Sequence, residues 1–93
     1  MVKHIVLWSF QDGVDKDSQY QKLSEMFNAL VGEIPGMQSL TFNRGFDGYD
    51  ICLETTHDDR AALDAYQNHP SHTAIKPIIA AIRKSRASCD YEM

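Results

Sequence analysis

Residues 3–10 carry apolar side chains on both alternating faces, Ile5 and Leu7 on one and Val6, Trp8 and Phe10 on the other. A run this rich in β-branched and aromatic residues predicts a strand covered on both sides. Gln11-Asp12-Gly13 ends it, and Asp15 or Asp17 can cap a helix whose apolar positions Tyr20, Leu23, Phe27, Leu30, Val31 and Ile34 recur at helical spacing. Pro35-Gly36 stops that helix. Two further strand-like runs follow, over 37–44 and 49–55, separated by Gly45-Phe46-Asp47-Gly48, where Asp47-Gly48 suits the positive φ of a tight antiparallel hairpin.

Thr56 followed by Asp59 resembles a capping box with Asp in place of Glu, and predicts a second helix with Ala62, Leu63 and Tyr66 on one stripe. Asn68-His69-Pro70 interrupts it. Ala74, Ile75, Ile78, Ile79 and Ile82 resume the helical spacing, with Pro77 as a kink or as the first turn of the last piece. Residues 84–92 alternate again, with Ala87, Cys89 and Tyr91 on one face and Ser88, Asp90 and Glu92 on the other. The order β-α-β-β-α-β predicts an α+β, ferredoxin-like fold: a four-stranded antiparallel sheet with the helices on one side. The apolar side chains on the opposite face then need a cover, and a second copy of the same sheet is the simplest one.

Length supports that expectation. Ninety-three residues make one domain, spanning 1–93, and a chain this short buries only roughly 60–65% of its unfolded surface, so a homodimer is favoured. Apolar residues are 43% and charged residues 24% of the chain, ordinary globular usage that disfavours disorder. The net charge of -4, with the basic residues dispersed, makes nucleic acid a poor partner. The longest apolar run, Ile78-Ile79-Ala80-Ala81-Ile82, is far too short to span a membrane, and no signal-like leader opens the chain. A cytoplasmic protein is expected, with Cys52 and Cys89 reduced and acting as small buried hydrophobes.

The densest chemical signal is Tyr66-Gln67-Asn68-His69-Pro70-Ser71-His72, a phenol and two imidazoles around a helix break. Histidine exchanges protons near neutral pH and a phenol can donate to a carbonyl oxygen as charge develops on it. Half-buried packing is the competing reading for Tyr66 and His72. His69, directly before Pro70, reads as a turn residue bonded to nearby backbone. His4, in an apolar strand, needs a hydrogen-bond partner. Asp90 is either a carboxylate that fixes a histidine tautomer or a solvated strand end. His57, before Asp58 and Asp59, reads as exposed and without a role. No zinc spacing, phosphate-binding loop or nucleotide fingerprint is present, so neither a metal nor a cofactor is expected.

Five pieces in register, Val2-Lys3-His4-Ile5-Val6-Leu7-Trp8, Ile34-Pro35-Gly36, Gly48-Tyr49-Asp50, Leu63-x-x-Tyr66-x-x-His69-Pro70-x-His72 and Asp90-Tyr91, resemble the stress-responsive A/B barrel (Dabb) family over nearly the whole chain. The resemblance implies a dimeric α+β barrel. The family includes cofactor-free polyketide cyclases of the olivetolic acid cyclase type, whose ring closure is an aldol reaction. By that resemblance His72 would remove a proton α to a carbonyl, Tyr66 would donate to the carbonyl oxygen, Asp90 would orient His72, and His4 would be a further pocket histidine. Val6 and Trp8, in the strand of His4, and Phe27 from the first helix are expected to line the substrate pocket with it. The ligand class is a small apolar carbonyl or aromatic compound. The alternative is a non-catalytic, stress-associated structural or interaction protein whose assembly is its function.

Overall fold

The computed structural model describes all 93 residues. Strand β1 (Val2–Phe10) leads into helix α1 (Lys16–Asn28), the hairpin β2 (Met37–Arg44) and β3 (Ile51–His57), and the helical segments α2 (Arg60–Asn68), α3 (Pro70–Thr73) and α4 (Lys76–Ile82), before strand β4 (Arg83–Glu92) closes the sheet. The strands are antiparallel in the order β2-β3-β1-β4. This is the ferredoxin-like arrangement that the β-α-β-β-α-β pattern predicts.

Strict alternation along β1 decides what each face does. Val2, His4, Val6, Trp8 and Phe10 are buried beneath the helices, whereas Lys3, Ile5, Leu7 and Ser9 are half-buried on the outer face. Trp8, Phe27 and Phe42 form the aromatic centre of the core, with ring centroids 5.3–6.0 Å apart. Such offset and tilted contacts add to the area they bury. On the outer face Cys52 flanks Leu7 from β3, and Cys89 flanks Ile5 from β4. Both thiols are free, and in the single chain Cys52 is half-buried and Cys89 exposed. Neither thiol is fully buried in the single chain, as the sequence expectation had it, because the face that carries them has no cover within one chain. Burial, followed by the nearby Glu54 charge, raises the Cys52 pKa.

Several element boundaries differ from the sequence expectation. Helix α1 ends at Asn28 rather than near Ile34, because the chain tightens into successive i→i+3 turns through Leu30, Val31 and Glu33. Those turns still bury Leu30 and Ile34 but leave Val31 53% exposed. Strand β3 runs on to His57, paired with Val2, so Thr56 is a strand residue and no helix cap. Asp59 alone caps α2, its carboxylate accepting from the Ala62 amide at 2.8 Å. Gly36 sits at φ +83°, where a Cβ would come within 2.7 Å of the Ala62 Cβ, so the turn into β2 requires glycine both for its backbone and for its closeness to α2.

Candidate active site

The break between α2 and α3 builds the site. Residues six apart on a continuous helix lie about 240° apart around its axis, so Tyr66 and His72 would diverge. Pro70 instead forces its predecessor out of the helical region, and His69 adopts φ -67°, ψ 135°. The His69 Nδ1 accepts from the Ser71 amide at 3.1 Å and caps the new turn, the local backbone role expected of it. The chain folds back, and the ring of His72 comes to 4.3 Å from that of Tyr66.

Tyr66 is the hub of a ring cluster. It is fully buried, with the His57 ring 5.0 Å away at a tilt and His4 6.2 Å away edge-on. Its hydroxyl finds no hydrogen-bond partner within the chain, nor do Trp8 Nε1 and His57 Nδ1. A buried unpaired polar group costs of order 1–3 kcal/mol, so these atoms mark places where a ligand or water would be favoured. Burial drives the Tyr66 pKa far above its usual value, which keeps the phenol protonated and a donor at neutral pH.

His72 is half-buried, and its Nδ1 lies 3.4 Å from the Gln67 carbonyl. A carbonyl only accepts, so Nδ1 carries the hydrogen and Nε2 keeps its lone pair. Burial lowers the His72 pKa, the Lys76 charge and His4 add to that, and the Gln67 contact opposes it. The imidazole is therefore neutral, a competent base, at physiological pH.

Asp90 does not contact His72. Its carboxylate accepts from His4 Nδ1, because the β1–β4 register sets His4 directly across from Asp90. The orienting role that the resemblance places on Asp90 is accordingly corrected in its partner: Asp90 holds His4, and the Gln67 carbonyl holds His72. The expectation for His57 is corrected too. It is fully buried, its Nε2 is 2.8 Å from Thr55 Oγ1, and its ring packs at a tilt against Tyr66, 42° between planes. It closes β3 on the helix-facing parity of Ile51, Leu53 and Thr55, and that period of two was the signal available in the sequence.

Burial lowers the His57 pKa, with His4 adding to the effect and Asp90 and Asp58 opposing it. His57 and His72 thus bind protons more weakly folded than unfolded. As pH falls below the ordinary value of 6.5 the unfolded chain takes up protons first, and stability drops until the folded-state pKa values are passed. The melting temperature should therefore decline from about pH 7 to about pH 5.5, and a His57→Gln/His72→Gln variant should lose that slope. Calorimetry showing a level or rising melting temperature over this window would contradict the assignment.

A cavity of about 660 Å³ opens at this cluster. His4, Val6 and Trp8 from β1, Phe27 from α1 and Leu53 from β3 line it, together with Tyr66, His72 and the α4 residues Ile79 and Ala80. The residues expected around a pocket from sequence are thus brought together, Asp90 apart, which touches a second, smaller cavity of about 390 Å³ beside α2 and β4. Tyr20 lies outside the main cavity, packed on Phe42. No three His, Cys, Asp or Glu side chains gather as metal ligands, and no helix is long and apolar enough to cross a membrane.

Comparison with known proteins agrees with this architecture. An uncharacterized protein of Streptomyces coelicolor is 32% identical over 79 residues, covering 80% of this chain and 81% of its own. The stress-response A/B barrel domain-containing protein HS1 of Arabidopsis thaliana is 27% identical over 97 residues, covering 98% and 88%. The crystal structure of a dimeric ferredoxin-like protein from Bacteroides fragilis superposes with a TM-score of 0.90 at 30% identity, over 99% of this chain and 95% of that one. The model of the stress responsive A/B barrel domain matches residues 2–93, and the chain belongs to that family.

Proposed function

We propose that the protein is a homodimer that binds a small apolar carbonyl or aromatic compound in the cavity between sheet and helices and performs cofactor-free acid–base chemistry on it. The observation that carries this reading is the buried Tyr66 hydroxyl, unpartnered and beside a neutral His72, in a cavity wide enough for such a ligand. In the reaction, His72 Nε2 takes a proton from the carbon α to a carbonyl. The C–H electron pair moves to form the enolate, whose oxygen receives a hydrogen bond from Tyr66. The enolate carbon then bonds to a second carbonyl carbon of the same molecule, whose C=O π pair becomes the alkoxide. The alkoxide takes back the proton that His72 Nε2 holds, which restores the neutral imidazole, as in an aldol cyclisation. Open space at His72, rather than side chains filling it, supports this reading over assembly as the sole function.

The test is hydrogen exchange in D2O. Aryl ketones and β-dicarbonyl compounds are incubated with the protein, and the loss of the α-proton signal is followed by NMR. Exchange faster than in buffer for members of the panel is expected; unaccelerated exchange across it would contradict the acid–base reading.

Dimerisation is supported by the dimeric relative and by Ile5 and Leu7, which lie half-buried on the outer face of the central strand. In an isologous interface the same patch occurs twice, so one substitution places two charges in it. Leu7→Glu should reduce the mass in solution from twice 10.6 kDa to a single chain. Light scattering that finds an unchanged dimer would contradict this use of the outer face.

A further inference from the structure

The cavity wall holds an asymmetry of charge that proton transfer at Tyr66 and His72 does not use. Three of the nine lysine and arginine residues of an acidic chain line it: Lys76 at the start of α4, Arg83 at the α4–β4 junction, and Arg86, paired across from Trp8 in β4. None of them is in an ion pair; those of the chain use Lys16, Arg44, Arg60 and His4. The one carboxylate on the wall, Asp64, comes from α2 and accepts from Asn68. The cations thus all come from the α4–β4 side of the cavity, Lys76 and Arg83 at the two ends of α4 and Arg86 across from Trp8, whose buried Nε1 has no acceptor.

We infer that the ligand of this cavity is a carboxylic acid, an aromatic or β-oxo acid whose carboxylate is held by Lys76, Arg83 and Arg86 while its carbonyl meets Tyr66. This rests on the cavity being the ligand site of the proposed function and adds the class of the ligand. The cations gain an anion that the chain itself does not supply, and Arg pairs with carboxylates in a fixed fork geometry. The apolar wall formed by Trp8 and Phe27 suits a flat organic body better than a bare inorganic anion. Arg83 is half-buried and Lys76 and Arg86 are exposed, so the attraction is open to screening by salt.

The experiment compares 4-acetylbenzoate with its methyl ester by titration calorimetry on the purified protein at low and high salt. The acid is expected to bind about tenfold more tightly than the ester at low salt, as charge-assisted hydrogen bonds allow. That preference should shrink with added salt and vanish in Lys76→Gln/Arg83→Gln/Arg86→Gln, where the acid falls to the ester's affinity. If the ester binds as well as the acid, the carboxylate assignment is overturned and the proposed function stands. Absence of binding by both overturns both. Displacement of the acid by millimolar inorganic phosphate would overturn the carboxylate assignment in favour of a bare anion site.

Discussion

His72→Ala should lose at least about a hundredfold of the α-proton exchange that the wild-type protein gives, while the chain keeps its fold and its dimer mass. The expectation follows from the tautomer. With Nδ1 committed to the Gln67 carbonyl, Nε2 is the free lone pair of the ring, and it belongs to the imidazole packed at a tilt against the buried phenol, 4.3 Å between centroids. Alanine removes the base without disturbing the sheet, since His72 lies in the four-residue α3 and no core strand. The pH profile of the wild type carries the same signature. Exchange should be level at neutral pH and fall on the acid side with a midpoint below 6.5, because burial and the Lys76 charge disfavour the imidazolium. Full exchange in the alanine variant, or a midpoint above 6.5, would remove His72 from the reaction.

The largest effect on stability belongs to Trp8. Its indole is 2% exposed and packs against both Phe27 and Phe42, at 6.0 and 5.9 Å, as the third corner of an aromatic triangle. Truncating a buried aromatic of this size costs about 3–5 kcal/mol, the lost transfer energy plus the hole left behind. Against a total of about 5–15 kcal/mol for a domain, Trp8→Ala should sit near the edge of unfolding in urea titrations. Trp8 is also part of the cavity wall, so the volume freed adjoins the ligand site. A ligand with a longer apolar tail should bind the variant better relative to a short one than it binds the wild type. A loss below about 1 kcal/mol would show that the indole is not the keystone of the core that its packing indicates.

What the sequence made legible divides along a physical line. Period two in residues 3–10 and 84–92 and helical spacing around Leu23, Phe27 and Leu63 are local signals, and they specified the element order and therefore the sheet. The faces of β4 were legible for the same reason: Asp90 and Cys89 stand on opposite sides as their parity requires. Partners across strands were not. That Asp90 meets His4 depends on a register between residues 86 apart, which no local pattern encodes. His57 was hidden by its neighbours, since two aspartates after a histidine look like an exposed helix start, whereas β-pairing with Val2 carries the strand two residues further and buries it. The meeting of Tyr66 and His72 was foreshadowed by Pro70, but the angle of the turn, set by the His69 backbone and its own side-chain cap, had to be seen.

The central claim, that the cavity at Tyr66 and His72 is a binding site for small carbonyl or aromatic compounds, is tested most directly by ligand-observed NMR. Phenolic, β-dicarbonyl and polyketide-like compounds are screened against the wild-type protein and against Tyr66→Phe and His72→Ala, both of which leave the outer sheet face untouched. The account predicts binding to the wild type that weakens in both variants, since each removes a polar group that the ligand's oxygen would meet. Binding that is indifferent to both substitutions, or none across a broad panel, would contradict it and leave the assembly of the chain as its function.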